Sequence, residues 1–531
     1  MKKASVDRCL EYFPNYDLLI DELARTLYQE RARVTQKPWK ADPVDEREYW
    51  GNIKREVINL NGQLNGNISA DQEQAKEILT SIASRYANEI TGTFDPSIYE
   101  FAKKALPVGF SRLLKTSIGQ NFKERLNNEF NIKDRFHFTG DLETIRELGT
   151  KATLVMVPTH FSNIDSPVIG WAIQELGLPA FIYGAGLNLF GIKILAYFMN
   201  RLGAYKIDRR KKNQIYLETL KMYSTLALHQ GAHSLFFPGG TRSRSGAIED
   251  KLKLGLLGTA MEAQYLNIAN APKGESGKKI VIVPVVLNYH FVLEAPSLIE
   301  QHLKQIGREY YFAENDEFST SFKIARFIFK FLTRSSELAI SFGSCMDLFG
   351  NRVDKDGNSF DDKGQKIDIR QYYLSHGELK NDKQRNGEYI RLLGEKIVKS
   401  YRRNNIVFSS HLLAFAAFEI LKKRFKKLDI YALLRIPEED REISYMEFAQ
   451  NIEALRKEIF KMADAGEIIA PEQISWEVSK IIDHGMDQLG LYHDQATLLY
   501  TPERNITTQD MKLLYFYHNR LEGFGLEQYV G

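Results

Sequence analysis

Thr153-Leu154-Val155-Met156-Val157-Pro158-Thr159-His160-Phe161-Ser162-Asn163-Ile164-Asp165 is the stretch on which the fold turns. Its first half is an uninterrupted apolar run of strand length, which reads as a buried strand. Its second half is a short polar turn that leads into a helix. A histidine and an aspartate five residues apart, where a buried strand gives way to a helix, suit a base and its orienting carboxylate.

Working outward, short β-rich runs recur at 153–157, 204–207, 234–237, 280–288 and 338–342. Helical stretches lie between them, among them 213–230, closed by Gly231 at a C-cap, and 255–266. This alternation predicts an α/β fold over 131–350, a central mixed sheet flanked by helices. Residues 1–130 read as helical: Ser69 with Gln72 suggests a capping box, and Ala75, Ile78, Leu79, Ile82, Ala83, Tyr86, Ala87 and Ile90 recur at helical spacing. Pro96 and Pro107 punctuate the chain beyond this helix, and 272–279 reads as a polar loop into the next strand. Residues 351–380 read as a polar hairpin or linker. Its acidic spacing resembles a calcium loop, but Ser359 and Gln365 stand where glycine and a bidentate glutamate are needed. From 381 to 531 the chain reads as helical again.

At 531 residues with 44% hydrophobic content, two or three domains and a large core are expected. A net charge of +3 is too small to imply nucleic acid, yet the basic residues cluster. Arg201–Lys212 holds six Lys or Arg against one Asp, and Lys422–Lys427 holds five in six positions. Such clusters suit an anionic substrate or membrane, or plain solvated surface. Two cysteines, Cys9 and Cys345, fit a reducing cytosol. The first residues lack the apolar core of a signal peptide, and no run reaches the ~18 apolar residues of a spanning helix. A cytoplasmic protein, soluble or peripheral, is expected.

His160 is the candidate base. A lone histidine there would commonly cap a helix, but Ser162 and Asp165 follow within the turn. Asp165 can reach back to the imidazole, fix its tautomer and stabilise the imidazolium formed on proton abstraction. The chain has no Gly-x-Ser-x-Gly elbow, which favours direct attack by a substrate hydroxyl over an acyl-serine intermediate. A second segment, Phe236-Phe237-Pro238-Gly239-Gly240-Thr241-Arg242-Ser243-Arg244-Ser245-Gly246, has the same strand-to-turn grammar. Gly239 and Gly240 let backbone N–H groups approach an anion, and a helix starting after them would add its positive end. Arg242 and Arg244 alternate, so both can grip one phosphate through paired hydrogen bonds. The competing reading is a tight turn with solvated arginines. Between the two segments, Asn200–Arg210 reads as a short strand in which Asp208 holds Arg209 by an ion pair and presents it to the same phosphate, or as an edge strand ending in solvated charges. Together these groups point to an enzyme acting on a phosphorylated alcohol. No cofactor or metal is expected. Gly277-Lys278 lacks the rest of a phosphate-binding loop, Gly184-x-Gly186 lacks its third glycine, and His229 and His233 have no third ligand nearby.

In order, His160-x-Ser162-x-x-Asp165, Gly203-x-x-x-Ile207-Asp208-Arg209, Phe237-Pro238-x-Gly240-Thr241-Arg242-Ser243 and Ile282-Val283-Pro284-Val285 resemble the four blocks of the glycerolipid acyltransferase family. That family includes glycerol-3-phosphate and 1-acylglycerol-3-phosphate acyltransferases. The resemblance implies an acyltransferase-type fold and an acyl thioester donor, acyl-CoA or acyl-carrier protein, as co-substrate. It implies glycerol 3-phosphate as acceptor, with His160 as general base and Asp165 behind it. Arg209 and Arg242 would lie near the acceptor phosphate together with Gly240, Thr241 and Arg244, and Ser162, Asp208 and Pro284 would support the site. Arg242–Gly246 and Tyr289–Glu294 extend the third and fourth blocks as the glycerol-3-phosphate branch does. Ser409–Ala414 and Tyr517–Arg520 resemble C-terminal signatures of its larger members. Lysophosphatidate is the alternative acceptor, and a non-catalytic lipid-binding scaffold is the alternative of a different class. One departure stands out: the third block normally reads Phe-Pro-Glu-Gly, but here position 239 is glycine. Glu249, Asp250 and Glu294 are the candidate substitutes by sequence position. Lys206, where the family prefers an apolar residue, is a smaller deviation.

Membrane contact has two candidates. Phe322–Arg334 sets four cations on one helical stripe amid an aromatic and aliphatic face, which suits either a membrane interface or a partly buried helix with snorkelling cations. Leu412–Phe418, followed by the basic cluster, reads first as a core helix and second as a membrane-facing one. The acceptor and product differ in solubility, so a peripheral protein at the inner face of the cell membrane is the expectation.

Overall fold

Thr153–Pro158 is buried at every position and lies in the middle of a seven-stranded sheet. The structure is a computed structural model and describes residues 2–62, 68–103, 136–187, 190, 193–272, 274–307, 337–491 and 493–531. In chain order the strands are β1 (Phe136–Thr139), β2 (Thr153–Pro158), β3 (Ile182–Gly186), β4 (Ala204–Ile207), β5 (Ser234–Leu235), β6 (Ile280–Tyr289) and β7 (Leu338–Phe342). They are arranged β1-β7-β6-β2-β5-β3-β4. From β6 to β4 all strands run parallel, whereas β7 is antiparallel to β6 and parallel to β1. The sheet is therefore mixed, as the alternation predicted. β1 and β3 lie outside the expected runs, and β5 stops at Leu235 rather than Phe237.

Side-chain alternation along the central strands feeds two cores. Leu154 and Met156 join Val281, Val283, Val285 and Leu287 on one face. Val155 and Val157 join Ile280, Ile282 and Val286 on the other, as a period of two requires. Pro284 sits in β6 opposite Val157. Its carbonyl accepts from Gly343 N–H at 2.8 Å, just beyond the end of β7. A residue without an N–H is tolerated there because the β7 ladder begins only at the next residue, where Val285 pairs with Phe342.

Helices α1 (Lys2–Tyr12), α2 (Tyr16–Gln36), α3 (Glu46–Gly62) and α4 (Ile68–Ile90) precede the sheet. Their apolar stripes, with Leu23, Ile53, Leu79 and Tyr86, pack on Tyr205 of β4 and on Ile215 and Tyr216. Ser69 lies inside α4 rather than at its cap. Next come α5 (Leu142–Lys151), α6 (Asp165–Glu175), α7 (Lys193–Arg201), α8 (Gln214–His229), α9 (Gly255–Ala269) and α10 (Ala295–Ile306). α5, α6 and α10 cover the first face, and α8 and α9 the second. α8 closes at Gly231, whose φ of 87° reverses the chain as expected.

Residues 352–367 form a small three-stranded antiparallel sheet rather than one hairpin. Phe349 and Tyr373, on either side of it, are buried in the second core. The chain ends in α11 (Lys383–Arg403), α12 (Ser409–Arg424), α13 (Tyr445–Asp464), α14 (Val478–Gln488) and α15 (Met511–His518). α12 is buried from Ser409 to Leu421 and belongs to the same core as β6. Leu412–Phe418 is thus a core segment, with the basic cluster emerging at its end. Phe322–Arg334 and Pro107 lie outside the described residues. Among the described residues no helix is long and apolar enough to cross a membrane.

Candidate active site

The site forms where β2 ends. Thr159 N–H makes a last ladder bond to Val285 O (3.0 Å), and the chain then turns into α6. Asp165 opens that helix and is fully buried, and its two oxygens organise the turn. Oδ2 accepts from His160 Nδ1 (2.8 Å), Phe161 N–H (2.7 Å) and Ser162 N–H (2.9 Å). Oδ1 accepts from the Tyr289 hydroxyl at 2.6 Å. Burial and the nearby Asp165 charge hold the Tyr289 phenol well above its ordinary pKa, so it stays a donor. A carboxylate only accepts, so the proton of a neutral His160 ring sits on Nδ1 and Nε2 keeps its lone pair. The ring stacks on Phe237 (4.1 Å between centroids) and keeps 17% of its side-chain surface exposed. It is therefore held in one tautomer and one plane with an edge open to solvent, which is the geometry a proton acceptor needs.

The arginine segment joins the same turn. Ser243 N–H donates to His160 O (2.7 Å), so the two loops share a backbone hydrogen bond. Gly240 takes a φ of 76° and its N–H turns back to Phe237 O (3.0 Å), a conformation that favours glycine. The helix start expected after the glycine pair is absent: the loop runs on to Gly255, where α9 begins. No helix dipole therefore points at an anion from Gly240. A lysine does instead. A Cβ on Gly240 would lie 2.7 Å from Lys253 Nζ, so this exposed cation overhangs the glycine.

Glu294 ties the halves together. Its Oε2 accepts from Ser162 Oγ (2.8 Å), its Oε1 from Asn163 N–H (3.0 Å), and Arg242 Nη1 lies 3.5 Å away. Thr241 is exposed beside them. Arg244 is half-buried, and its charge helps depress the pKa of His302 on α10, behind the larger effect of burial. Arg209 is exposed at the C-terminal end of β4, on the same sheet edge but three strands from β2, roughly 14 Å by strand spacing. Asp208 does not hold Arg209. It holds Arg210, through Nε (2.9 Å) and Nη2 (2.7 Å), because Asp208 Oδ1 also accepts Arg210 N–H (3.0 Å) in a tight turn that carries the second arginine back over it. Arg210 is bound further by Asp42 and stacks on Trp39.

Two groups behind the turn come from distant sequence. Glu249 Oε1 accepts His160 N–H at 2.7 Å, while Oε2 is sealed from solvent without a hydrogen-bond partner. Burial pushes its carboxyl up to about 7 against an ordinary 4.5, partly offset by the His160 N–H and by Arg520. Between those two values the folded state holds a proton that the unfolded chain has released, so this group's contribution to stability falls as pH rises through that window. Glu249→Gln is expected to flatten that decline, read as a smaller difference in melting midpoint between about pH 4.5 and about pH 7.5 than the wild type shows. Arg520 is buried, with its guanidinium 4.2 Å from the Phe161 ring centroid. It donates to Leu287 O (2.8 Å), Asn288 Oδ1 (2.6 Å) and Asn405 Oδ1 (2.9 Å). The same C-terminal stretch holds the arginine loop: Asn519 Nδ2 donates to Ser245 O (3.0 Å), and Gly246 packs so closely on Phe516 O that a Cβ would come within 2.1 Å. Sequence position had put Glu249 among the candidate acids, but spacing gives no signal for the contacts of Arg520 and Asn519.

Residues 136–288 match the family model described as Acyltransferase. Glycerol-3-phosphate acyltransferase of Pseudomonas paraeruginosa is 26% identical over 221 residues, 41% of this chain and 23% of that protein. The protein of that name from Pseudoalteromonas translucida is 28% identical over 243 residues, 45% of this chain and 26% of its own. The chain thus spans about a quarter of the length of the curated relatives it matches. The solved 1-acyl-sn-glycerophosphate (LPA) acyltransferase of Thermotoga maritima is 13% identical and covers 57% of this chain and 92% of that one, with a TM-score of 0.25. The segment that matches the Acyltransferase model, residues 136–288, contains both the histidine held by the buried aspartate and the arginine loop bonded to its backbone.

Proposed function

We propose that this protein transfers a fatty acyl group from an acyl thioester, acyl-CoA or acyl-carrier protein, to the hydroxyl of glycerol 3-phosphate in phospholipid biosynthesis. The observation that carries this reading is the fixed tautomer of His160: Nδ1 is committed to Asp165, and Nε2 is available beside a loop bearing Arg242, Arg244 and Lys253. Nε2 takes the proton of the acceptor hydroxyl as its oxygen attacks the thioester carbonyl carbon. The tetrahedral intermediate then collapses, the carbon–sulfur bond breaks, and the imidazolium returns its proton to the departing thiolate. Asp165, hydrogen-bonded to Nδ1, holds the imidazolium in place between these steps. The cations and the Gly240–Thr241 backbone serve the acceptor phosphate, with Arg209 extending the basic edge.

The product is far less water-soluble than glycerol 3-phosphate, so the reaction belongs at a membrane surface, reached from the cytoplasm. The exposed Lys422, Arg424, Lys426 and Lys427 at the end of α12 suit an anionic leaflet. The test is an assay of the purified full chain with two donors, acyl-CoA and acyl-carrier protein, crossed with two acceptors, glycerol 3-phosphate and lysophosphatidate. Lysophosphatidate formed from glycerol 3-phosphate is the expected result. Turnover with lysophosphatidate alone would reassign the acceptor, and no turnover with any pair would leave a lipid-binding scaffold.

A further inference from the structure

The carboxylate missing from position 239 has a replacement in space. A Cβ on Gly239 would lie 3.1 Å from Glu249 Cγ and 3.2 Å from Glu249 Oε1. The volume a side chain at 239 would fill is thus taken by the carboxylate of a residue ten positions later. The other two acids near the loop are not available for it. Asp250 is exposed, and both oxygens of Glu294 are engaged by Ser162 and Asn163. Glu249 Oε1 in turn has a definite task, because it is the acceptor for the N–H of His160.

We infer that Glu249 is the positioning residue of the catalytic turn, fixing the backbone of His160 from the place that a residue-239 side chain would otherwise occupy. The inference rests on the acyl-transfer reading for its effect on turnover, but not for its effect on the turn. Three geometric facts make the exchange feasible in both directions. Gly239 does not have a positive φ, so a side chain is allowed there. A glutamate's carboxylate oxygens lie roughly 3–4 Å from its own Cβ by standard bond lengths, which covers the distance to the present Oε1 position. And the three atoms nearest to a Cβ at 239 all belong to Glu249 itself. The groups facing this carboxylate are His160 and Asp165 from the turn after β2, Arg520 from the C-terminal stretch and Tyr401 from α11.

The test is a reciprocal swap. Glu249→Ala should lower kcat about tenfold or more with KM within about threefold, since the substrate-binding groups are untouched. Gly239→Glu alone should also be impaired, because two carboxylates would compete for one volume. Gly239→Glu combined with Glu249→Ala should return kcat to within about threefold of wild type, a non-additivity that a general packing role would not produce. Glu249→Gln keeps an acceptor oxygen and should retain most of the activity. A substrate-free readout runs in parallel: hydrogen exchange at the His160 amide should accelerate in Glu249→Ala and slow again in the double variant. Wild-type kcat and wild-type exchange in folded Glu249→Ala would overturn the inference, as would a folded double variant no better than Glu249→Ala on both readouts. If Glu249→Ala does not fold, a folded double variant with a protected amide supports the inference, and double and Gln variants that both leave this amide exchanging freely overturn it. Should the wild type turn over no donor and acceptor pair, the acyl-transfer reading fails, and the exchange pattern alone decides the role of Glu249.

Discussion

His160→Ala is expected to lower acyl transfer by about 10²–10⁴-fold, the usual contribution of a positioned acid–base group, with little change in thermal stability. The two effects separate because of how Asp165 is bonded. Without the imidazole, Oδ2 still accepts from Phe161 N–H and Ser162 N–H, and Oδ1 still accepts from Tyr289. The buried carboxylate is therefore not orphaned, and the loss of one hydrogen bond plus the stacking on Phe237 should cost about 1–2 kcal/mol. Steady-state kinetics with the best donor and acceptor pair, alongside a thermal melt, checks both halves. Turnover within tenfold of wild type would remove His160 from the chemistry.

Arg520→Met is expected to act chiefly on stability, with a large loss from a residue that arrives from the far end of the chain. The guanidinium is sealed, and burial lowers its pKa to about 10, so it is still charged at neutral pH. Its donors serve three acceptors at once, Leu287 O and the side-chain oxygens of Asn288 and Asn405. A methionine fills much of the volume but leaves those oxygens buried without these donors. It also removes the positive charge that offsets Glu249. A cost of about 3–5 kcal/mol is expected for breaking a buried, hydrogen-bonded charge site. Activity should fall as well, because the guanidinium lies against Phe161, the neighbour of His160. A melting midpoint several degrees lower reads the first effect. An unchanged midpoint would show that water or rearrangement satisfies the three oxygens.

How much of the fold and site was legible in the sequence depends on the distance between partners. His160 and Asp165 are five residues apart in one turn, so strand length and local chemistry were enough to pair them. The central strands carry unbroken apolar runs and were legible for the same reason. Ile182–Gly186 was not, because Ile-Tyr-Gly-Ala-Gly has poor strand propensity and is held by its neighbours β4 and β5. Asp208 went to Arg210 rather than Arg209 because a local turn outweighed strand alternation. Glu294 and Glu249 meet the turn across 132 and 89 positions, Arg520 arrives from the far end of the chain, and no periodicity encodes such contacts. Tyr517–Arg520 stood out in the sequence by resemblance alone, which carried no sign of what the stretch touches.

The docking of that stretch against the His160 turn has a consequence for excision. The family-model match ends at residue 288, yet donors that hold its last strand and its arginine loop arrive from residues 406 and 519–520. The matched segment is thus smaller than the unit its packing and hydrogen bonds define. An excised 136–288 fragment would expose the apolar surface it shares with α11 and α12, and would lose the donors that Leu287 and Asn288 depend on. Substitutions in the turn and in the C-terminal stretch should therefore drift together among descendants of this chain, and a chimera should tolerate a foreign turn only when it brings its own buttress.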